Sequence, residues 1–124
     1  MDLDTLLNKN QKEAATYLDS HLRIIAGAGS GKTRVVTYRI AHLIQDIGID
    51  PRSILAITFT NKAANEMKER VNEIVGIHGS GTLICTIHSL CVRLLRQHIN
   101  VLNYPSNFTI MDEEDQKALI KKLY

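Results

Sequence analysis

Residues 26–33 read Ala-Gly-Ala-Gly-Ser-Gly-Lys-Thr, and they constrain the fold more than any other segment. They follow an apolar run at residues 22–25 and precede a stretch with helical spacing. A strand, a loop of small residues ending in Lys-Thr, and a helix are the layout of a phosphate-binding loop. The strict pattern has Gly where Ala26 stands, but the Gly-x-Gly-Lys-Thr core is intact, so Ala26 is interpreted as a tolerated variant.

Each part of this loop has a predicted role. Small residues let successive N–H groups line an anion site, and the following helix adds the positive end of its dipole. Lys32 is expected to reach the outer phosphates, and the Thr33 hydroxyl to ligate Mg²⁺. The predicted phosphate-contacting residues are Ala26, Gly27, Ala28, Gly29, Ser30, Gly31, Lys32 and Thr33. The alternative, a glycine-rich turn without a ligand, is disfavoured because Lys-Thr after two closely spaced glycines is a specific pattern.

Strand-like and helix-like patterns alternate along the first 98 residues. Apolar runs predict three strands, and apolar residues at helical intervals predict the intervening helices. The predicted strands are 22–26, 54–59 and 82–85. The predicted helices are 8–19, 32–46, a helix that Thr60 could cap and that ends near residue 75, 87–98 with Leu94 and Leu95 facing inward, and 112–124. Short connections in such a series predict an α/β fold with a parallel sheet between helices. Three strands leave exposed edges, so we expect the front part of a larger α/β domain.

Composition narrows the protein class. The 124 residues favour one domain, and a net charge of +2 is too small to argue for nucleic acid by itself. Negative charge is concentrated at residues 112–115, so the remainder is more basic than the total indicates. Cys85 and Cys91 predict neither a disulfide framework nor a zinc site. The sequence has no signal-peptide pattern and no apolar run of bilayer length, which predicts a cytoplasmic protein without membrane partners.

Polar side chains follow the second and third predicted strands, at the sheet edge where ligands gather in open α/β folds. Thr58, Phe59, Thr60 and Asn61 lie at the C-terminal end of one strand, and Thr86 and His88 lie at the same position of the next. Phe59 suits either base stacking on a single strand or a core position. The hydroxyl of Thr86 suits a helix cap or a phosphate ligand, and a lone histidine such as His88 is more often structural.

Asp112 follows a short apolar run and has two interpretations. The run mimics a strand that ends in a magnesium-binding carboxylate. Alternatively, Asp112 caps the last helix, with Asp115 near the positive end of its dipole. The cap is favoured because the run is short and contains Thr109.

Four motifs together resemble the N-terminal part of superfamily 1 DNA helicases of the UvrD/Rep/PcrA group. Leu7-Asn8-x-x-Gln11 resembles the family's glutamine motif, whose Gln reads adenine, and residues 26–33 match motif I, with Ala at its first position. Arg34 follows as in the family, where it lies against the nucleotide. Residues 57–67 match motif Ia, and residues 86–89 match the next DNA-contacting motif, where Phe is commoner than Ile87.

The resemblance implies a RecA-like P-loop NTPase fold that binds ATP with Mg²⁺. It implies that residues 1–107 form the start of the first helicase domain and residues 108–124 the start of a helical insertion. It also implies contacts with single-stranded DNA through Thr58, Phe59, Thr60, Asn61, Thr86 and His88, and an intact enzyme that unwinds 3′-tailed duplexes with 3′-to-5′ polarity. By the same comparison, residues 112–116 belong to the start of this insertion, and the catalytic acid motif lies elsewhere.

Relatives are several times longer, so we expect a fragment without meaningful ATP turnover and with weak or no nucleotide binding. Three alternatives stay open. They are the helicase subunit of a helicase–nuclease complex, a nucleotide kinase that shares only the phosphate loop, and a non-enzymatic module that binds DNA or a partner.

Overall fold

The computed structural model describes residues 1–124, which divide into an N-terminal unit, Met1–Ile87, and a C-terminal unit, His88–Tyr124. The elements of the N-terminal unit are α1 (Leu3–Leu6), α2 (Lys9–Thr16), α3 (Lys32–His42), β1 (Leu55–Thr58), α4 (Asn61–Val75) and β2 (Leu83–Thr86). A π-helical turn, Leu43–Ile47, extends α3, and 3₁₀ turns occupy Pro51–Ser53 and Gly76–Gly79. This mixed fold, with helices around a parallel strand pair, confirms the predicted α/β class.

The sheet is the parallel pair β1–β2, in which Thr58 at the end of β1 lies opposite Thr86 at the end of β2. Ile84 of β2 is buried at 2% exposure. Leu55 and Ile57 of β1 point to the other side of the pleat and are about half exposed, because successive side chains alternate across a strand. The two strands therefore end together, as the βαβ series predicts.

Two apolar clusters hold the N-terminal unit together. The larger joins α3 and its π-turn to α4 and β2 and comprises Ile40, Ala41, Ile44, Ala64, Met67, Val71, Val75 and Ile84. The smaller fixes α1 and α2 against α3 and comprises Leu3, Leu7, Ala15 and Val35. The smaller cluster bears on the candidate site because it packs α2, which carries Gln11, against α3, which directly follows residues 26–31.

One predicted strand is absent. Residues 22–26 have no regular secondary structure, and the sheet contains two strands rather than about three. Leu22, Ile24 and Ile25 are exposed, with Ile25 at 85%. A β-strand is formed by backbone hydrogen bonds to a neighbouring strand, and neither β1 nor β2 pairs with this segment. The apolar run was identified correctly, but its assignment as a formed strand is wrong for this structure.

The C-terminal unit consists of helices and turns. The helix α5 (Ile87–His98) begins at the boundary and is followed by a 3₁₀ turn at Ile99–Leu102 and by α6 (Glu113–Leu123). Within the unit, Arg96 donates to the Ser106 carbonyl and stacks 4.7 Å from the Phe108 ring centroid. No helix of the chain has both the length and the hydropathy needed to cross a membrane. The predicted domain boundary between residues 107 and 108 stays a prediction.

Candidate nucleotide site and strand-end surface

The loop before α3 has the backbone that its glycines allow. Gly29 and Gly31 have φ values of +77° and +83°, in the left-handed region that side chains with a Cβ disfavour. The Ser30 amide and hydroxyl both donate to the Gly27 carbonyl, at 3.2 and 2.5 Å. The helix then starts with Val35 N–H donating to the Gly31 carbonyl at 3.0 Å. These bonds form a tight turn at the N-terminus of α3, where backbone amides favour anions.

Lys32 and Thr33 are the first two residues of α3 and are exposed. No ion pair holds Lys32, and the Thr33 hydroxyl makes no hydrogen bond. The Thr33 carbonyl is engaged instead, because it accepts from the Thr37 hydroxyl at 2.8 Å. Both head groups are therefore uncommitted at the mouth of the loop.

These residues fit a nucleoside triphosphate with magnesium. A Cβ built at Gly27 or Gly29 would meet nothing within 4 Å, so the loop borders open space. No group of three His, Cys, Asp or Glu side chains is placed to hold a metal ion. The Thr33 hydroxyl, exposed in the first turn of α3, is the oxygen that would hold Mg²⁺ if the predicted nucleotide complex forms.

A cavity of about 280 Å³ lies beside the loop. Its polar wall includes Asn8, Gln11 and Lys32, and its apolar wall includes Ala14, Ile24 and Val35. An apolar cavity with a few convergent polar groups is the usual form of a small-ligand site. The structure thus brings the glutamine predicted to read adenine and the lysine predicted to bind phosphate to one cavity.

Gln11 is held by a reciprocal cap at the start of α2. The Asn8 side chain accepts a hydrogen bond from the backbone N–H of Gln11 at 2.9 Å, and Gln11 Oε1 accepts one from the backbone N–H of Asn8 at 3.0 Å. Asn8 had no predicted role, although Asn-x-x-Gln has the spacing of a capping box. Gln11 Nε2 also donates to the Ser30 carbonyl at 3.0 Å.

Arg34 has structural partners here. Its Nε and Nη2 donate to the Leu6 carbonyl at 3.1 and 2.8 Å, and its guanidinium lies 5.0 Å from the Tyr38 ring centroid. This stack was missed, and the i,i+4 spacing of Arg34 and Tyr38 was the pattern that could have revealed it. The predicted contact of Arg34 with the nucleotide stays a prediction.

The segment after β1 presents an aromatic side chain to solvent. Phe59 is 99% exposed, so the interpretation of Phe59 as a core residue is wrong. The Thr58 hydroxyl donates to the Thr60 carbonyl at 3.1 Å, and the Thr60 hydroxyl caps α4 by accepting from Ala63 N–H at 3.1 Å. Asn61, the first residue of α4, is exposed. Phe59 and Asn61 are therefore accessible, while Thr60 has a capping role.

The two predicted DNA-contacting residues at the end of β2 and the start of α5 differ in burial. Thr86 ends β2 and is buried at 6% exposure. His88 lies in the first turn of α5 and is exposed. Of these two predicted DNA contacts, His88 offers the accessible side chain.

Asp112 is a helix cap, as its sequence context favoured. Its Oδ1 accepts from Asp115 N–H at 2.8 Å, and Asp115 Oδ2 accepts from Asp112 N–H at 3.4 Å. The cap and the acidic first turn both complement the positive end of the α6 dipole.

A glycine-rich loop that opens a helix with Lys-Thr, in a mixed fold with a parallel strand pair, is characteristic of the P-loop NTPase class. Residues 7–124 match the sequence model of the UvrD/REP helicase N-terminal domain, so the chain belongs to this family.

Two similar proteins are the ATP-dependent DNA helicases PcrA of Staphylococcus aureus strain Mu50 and of Staphylococcus epidermidis strain ATCC 35984. Each is 50% identical to the chain over 115 residues, which is 93% of this chain and 16% of the relative. The chain therefore spans about a sixth of the length of these relatives.

Proposed function

We propose that this chain provides the ATP-binding and single-stranded-DNA-contacting part of an ATP-dependent 3′-to-5′ DNA helicase. The observation that carries the proposal is the uncommitted Lys32–Thr33 pair at the end of an open, glycine-shaped loop. Membership of the UvrD/REP helicase family supports the same function. The whole enzyme's substrates, single-stranded DNA and 3′-tailed duplex, are part of this proposal.

At the nucleotide site, the chain's residues bind and orient. Bound MgATP supplies the phosphoanhydride bond whose hydrolysis drives the motor. The Lys32 ammonium offsets charge on the outer phosphates, and the amides at the start of α3 add fixed positive dipoles. The Thr33 hydroxyl holds the metal, and Gln11 meets the donor–acceptor edge of adenine.

At the strand ends, Phe59 is the proposed stacking platform for a base of single-stranded DNA. A base stacked on an aromatic side chain contributes about 1–3 kcal/mol, and every base has such a face. The exposed Asn61 amide is proposed to contact the backbone beside it, because phosphate and sugar contacts position a strand without reading sequence. His88 is proposed as a separate DNA contact.

Turnover is proposed to need groups outside this chain. Phosphoryl transfer needs a carboxylate that holds the metal and orients water, and a cation that stabilises transition-state charge. The one carboxylate that mimics such an acid, Asp112, is engaged as the cap of α6. We expect the chain by itself to hydrolyse ATP no faster than its Lys32→Ala variant.

A chimaera tests the function directly. In Staphylococcus aureus PcrA, the 115 matching residues are replaced by their counterparts in this chain, and DNA-stimulated ATPase and unwinding of a 3′-tailed duplex are measured. We expect both activities in the chimaera and a loss of at least 100-fold in ATPase with Lys32→Ala, since electrostatic stabilisation of this kind contributes that much. A folded chimaera without activity would contradict the proposal, as would full activity in Lys32→Ala.

The DNA contact is tested in the same chimaera by Phe59→Ala, with Phe59→Tyr as the matched aromatic control. Loss of one stacked base is expected to weaken single-stranded DNA binding about tenfold, and Phe59→Tyr to retain it. Fluorescence anisotropy with labelled oligo-dT measures the effect. Equal affinity of the Ala and Tyr variants would exclude stacking on residue 59.

A further inference from the structure

Gln11 links the phosphate loop to the helical part of the N-terminal unit. Its Nε2 donates to the Ser30 carbonyl at 3.0 Å, across 19 positions of the chain. The other hydrogen bonds of Ser30 return to Gly27 and stay within the loop. The preceding segment, residues 22–26, has no strand partner that could brace the loop. Gln11 is thus the side chain that ties this loop to another element.

The orientation of the Gln11 amide follows from its partners. The Asn8 N–H is a donor and needs the Oε1 atom, whereas the Ser30 carbonyl is an acceptor and needs the Nε2 atom. A flipped amide would place donor against donor at Asn8 and acceptor against acceptor at Ser30. The amide therefore has one arrangement that satisfies both neighbours.

The helix that carries Gln11 is itself fixed. Ala15 is fully buried in the cluster with Val35, and Arg39 Nη1 donates to the Ala14 and Tyr17 carbonyls at 3.1 and 2.6 Å. The Gln11 side chain also packs closely against the loop, because a Cβ built at Gly31 would lie 2.7 Å from Gln11 Nε2. Because α2 is fixed and the terminal amide of Gln11 contacts the loop, the Gln11 side chain can set the position of the loop.

We propose that Gln11 is a positioning residue that holds the Ser30 carbonyl and so fixes the shape of the phosphate loop before a nucleotide binds. A glutamine amide has two N–H donors and two acceptor lone pairs. The Ser30 and Asn8 bonds use one of each, which leaves one donor and one acceptor for a base. This role rests on the proposed nucleotide site and extends it, because one side chain then connects base recognition with loop geometry.

Nuclear magnetic resonance relaxation of the ligand-free chain tests the role. Gln11→Glu keeps an acceptor for the Asn8 N–H but loses the donor to Ser30. We expect the order parameters of the Ser30 and Gly31 amides to fall from about 0.85 towards 0.6, while α2 is unchanged. The control Asn8→Ala loosens the first turn of α2 and leaves the loop order parameters near the wild-type value. Unchanged loop order in Gln11→Glu, or equal loosening by Asn8→Ala, would overturn the proposal.

Magnesium tripolyphosphate, which has no base, separates positioning from base reading. In the PcrA chimaera, we expect the neutral Gln11→Met variant to bind tripolyphosphate about fivefold more weakly than the wild type, by calorimetry. Unchanged affinity would show that Gln11 acts on the base alone. The relaxation experiment needs no ligand, so its failure leaves the nucleotide site standing, while an inactive chimaera refutes the nucleotide site and leaves the relaxation result intact.

Discussion

The two compact units of the chain are stabilised in different ways. The N-terminal unit buries residues of α3, its π-turn, α4 and β2 in one cluster, with Val71 and Ile84 almost fully enclosed. No residue of His88–Tyr124 is buried. Helices of the N-terminal unit are therefore stabilised by apolar burial between distant parts of the sequence, which is the dominant favourable term in folding.

The C-terminal unit depends on local interactions. Asp112 caps α6, acidic residues occupy its first turn, and Lys121 and Lys122 occupy its last turn. Each such feature contributes only about 0.3–1 kcal/mol. The comparison shows that the same chain contains helices that need a core and a helix whose ends are specified by neighbouring residues. Substitutions in the two units should therefore differ in size and in how far their effects extend.

The largest effect is expected from Ile84→Ala in β2. Removing this enclosed side chain should lower the free energy of unfolding by about 3 kcal/mol, because transfer and cavity terms add. Urea denaturation monitored by circular dichroism measures the change. The matched variant Ile120→Ala lies in α6, where the side chain is 50% exposed, and should cost under about 0.5 kcal/mol. Similar costs at the two positions would contradict the contrast between the units.

Asp112→Ala should produce a smaller and local change. Loss of the cap is expected to cost α6 about 1 kcal/mol, seen as faster amide exchange in Glu113–Leu123. Exchange in α4 should stay as in the wild type, and Asp112→Asn should behave like the wild type because Asn caps equally well. Slower or unchanged exchange in α6 would show that Asp112 does not specify the helix end.

The smallest effect concerns the exposed pair Asp50 and Arg52. Hydrogen bonds from the Arg52 side chain and backbone lower the pKa of Asp50. The ionised carboxylate therefore favours the folded state above its unfolded-state pKa, and this contribution is lost as pH falls through the folded-state pKa. Arg52→Gln should raise the pKa of Asp50 in a carboxyl ¹³C titration. Arg52→Lys should give a pKa between those of the wild type and Arg52→Gln, because lysine retains the charge without the forked guanidinium donors. An unchanged pKa in Arg52→Gln would refute this cause.

Local patterns were the part of the structure that sequence could predict. The caps at Thr60 and Asp112 follow from residue type and spacing, and both are confirmed. The phosphate loop was recognised because its glycines and its Lys-Thr pair are adjacent in the sequence. Such features need only a few neighbouring residues, so a short stretch contains the information.

Features that depend on distant partners were missed or predicted wrongly. Residues 22–26 have the composition of a buried strand, but strand formation needs a neighbour at hydrogen-bonding distance. Leu94 and Leu95 of α5 were expected to face inward and are exposed. The contact from Gln11 to Ser30 was not predicted, because nothing in either residue indicates the other. The α3 pattern gave no indication of the π-turn at Leu43–Ile47.

Gly31 illustrates how a single hydrogen atom can limit sequence variation. Its backbone is left-handed, and its Cα borders the Gln11 amide. A methyl group there would strain the chain and displace the side chain that steadies the loop. Gly27, with open space around it, tolerates far more. Random mutagenesis of this turn, selected for folding alone, should therefore recover a range of residues at position 27 and almost nothing but glycine four positions later.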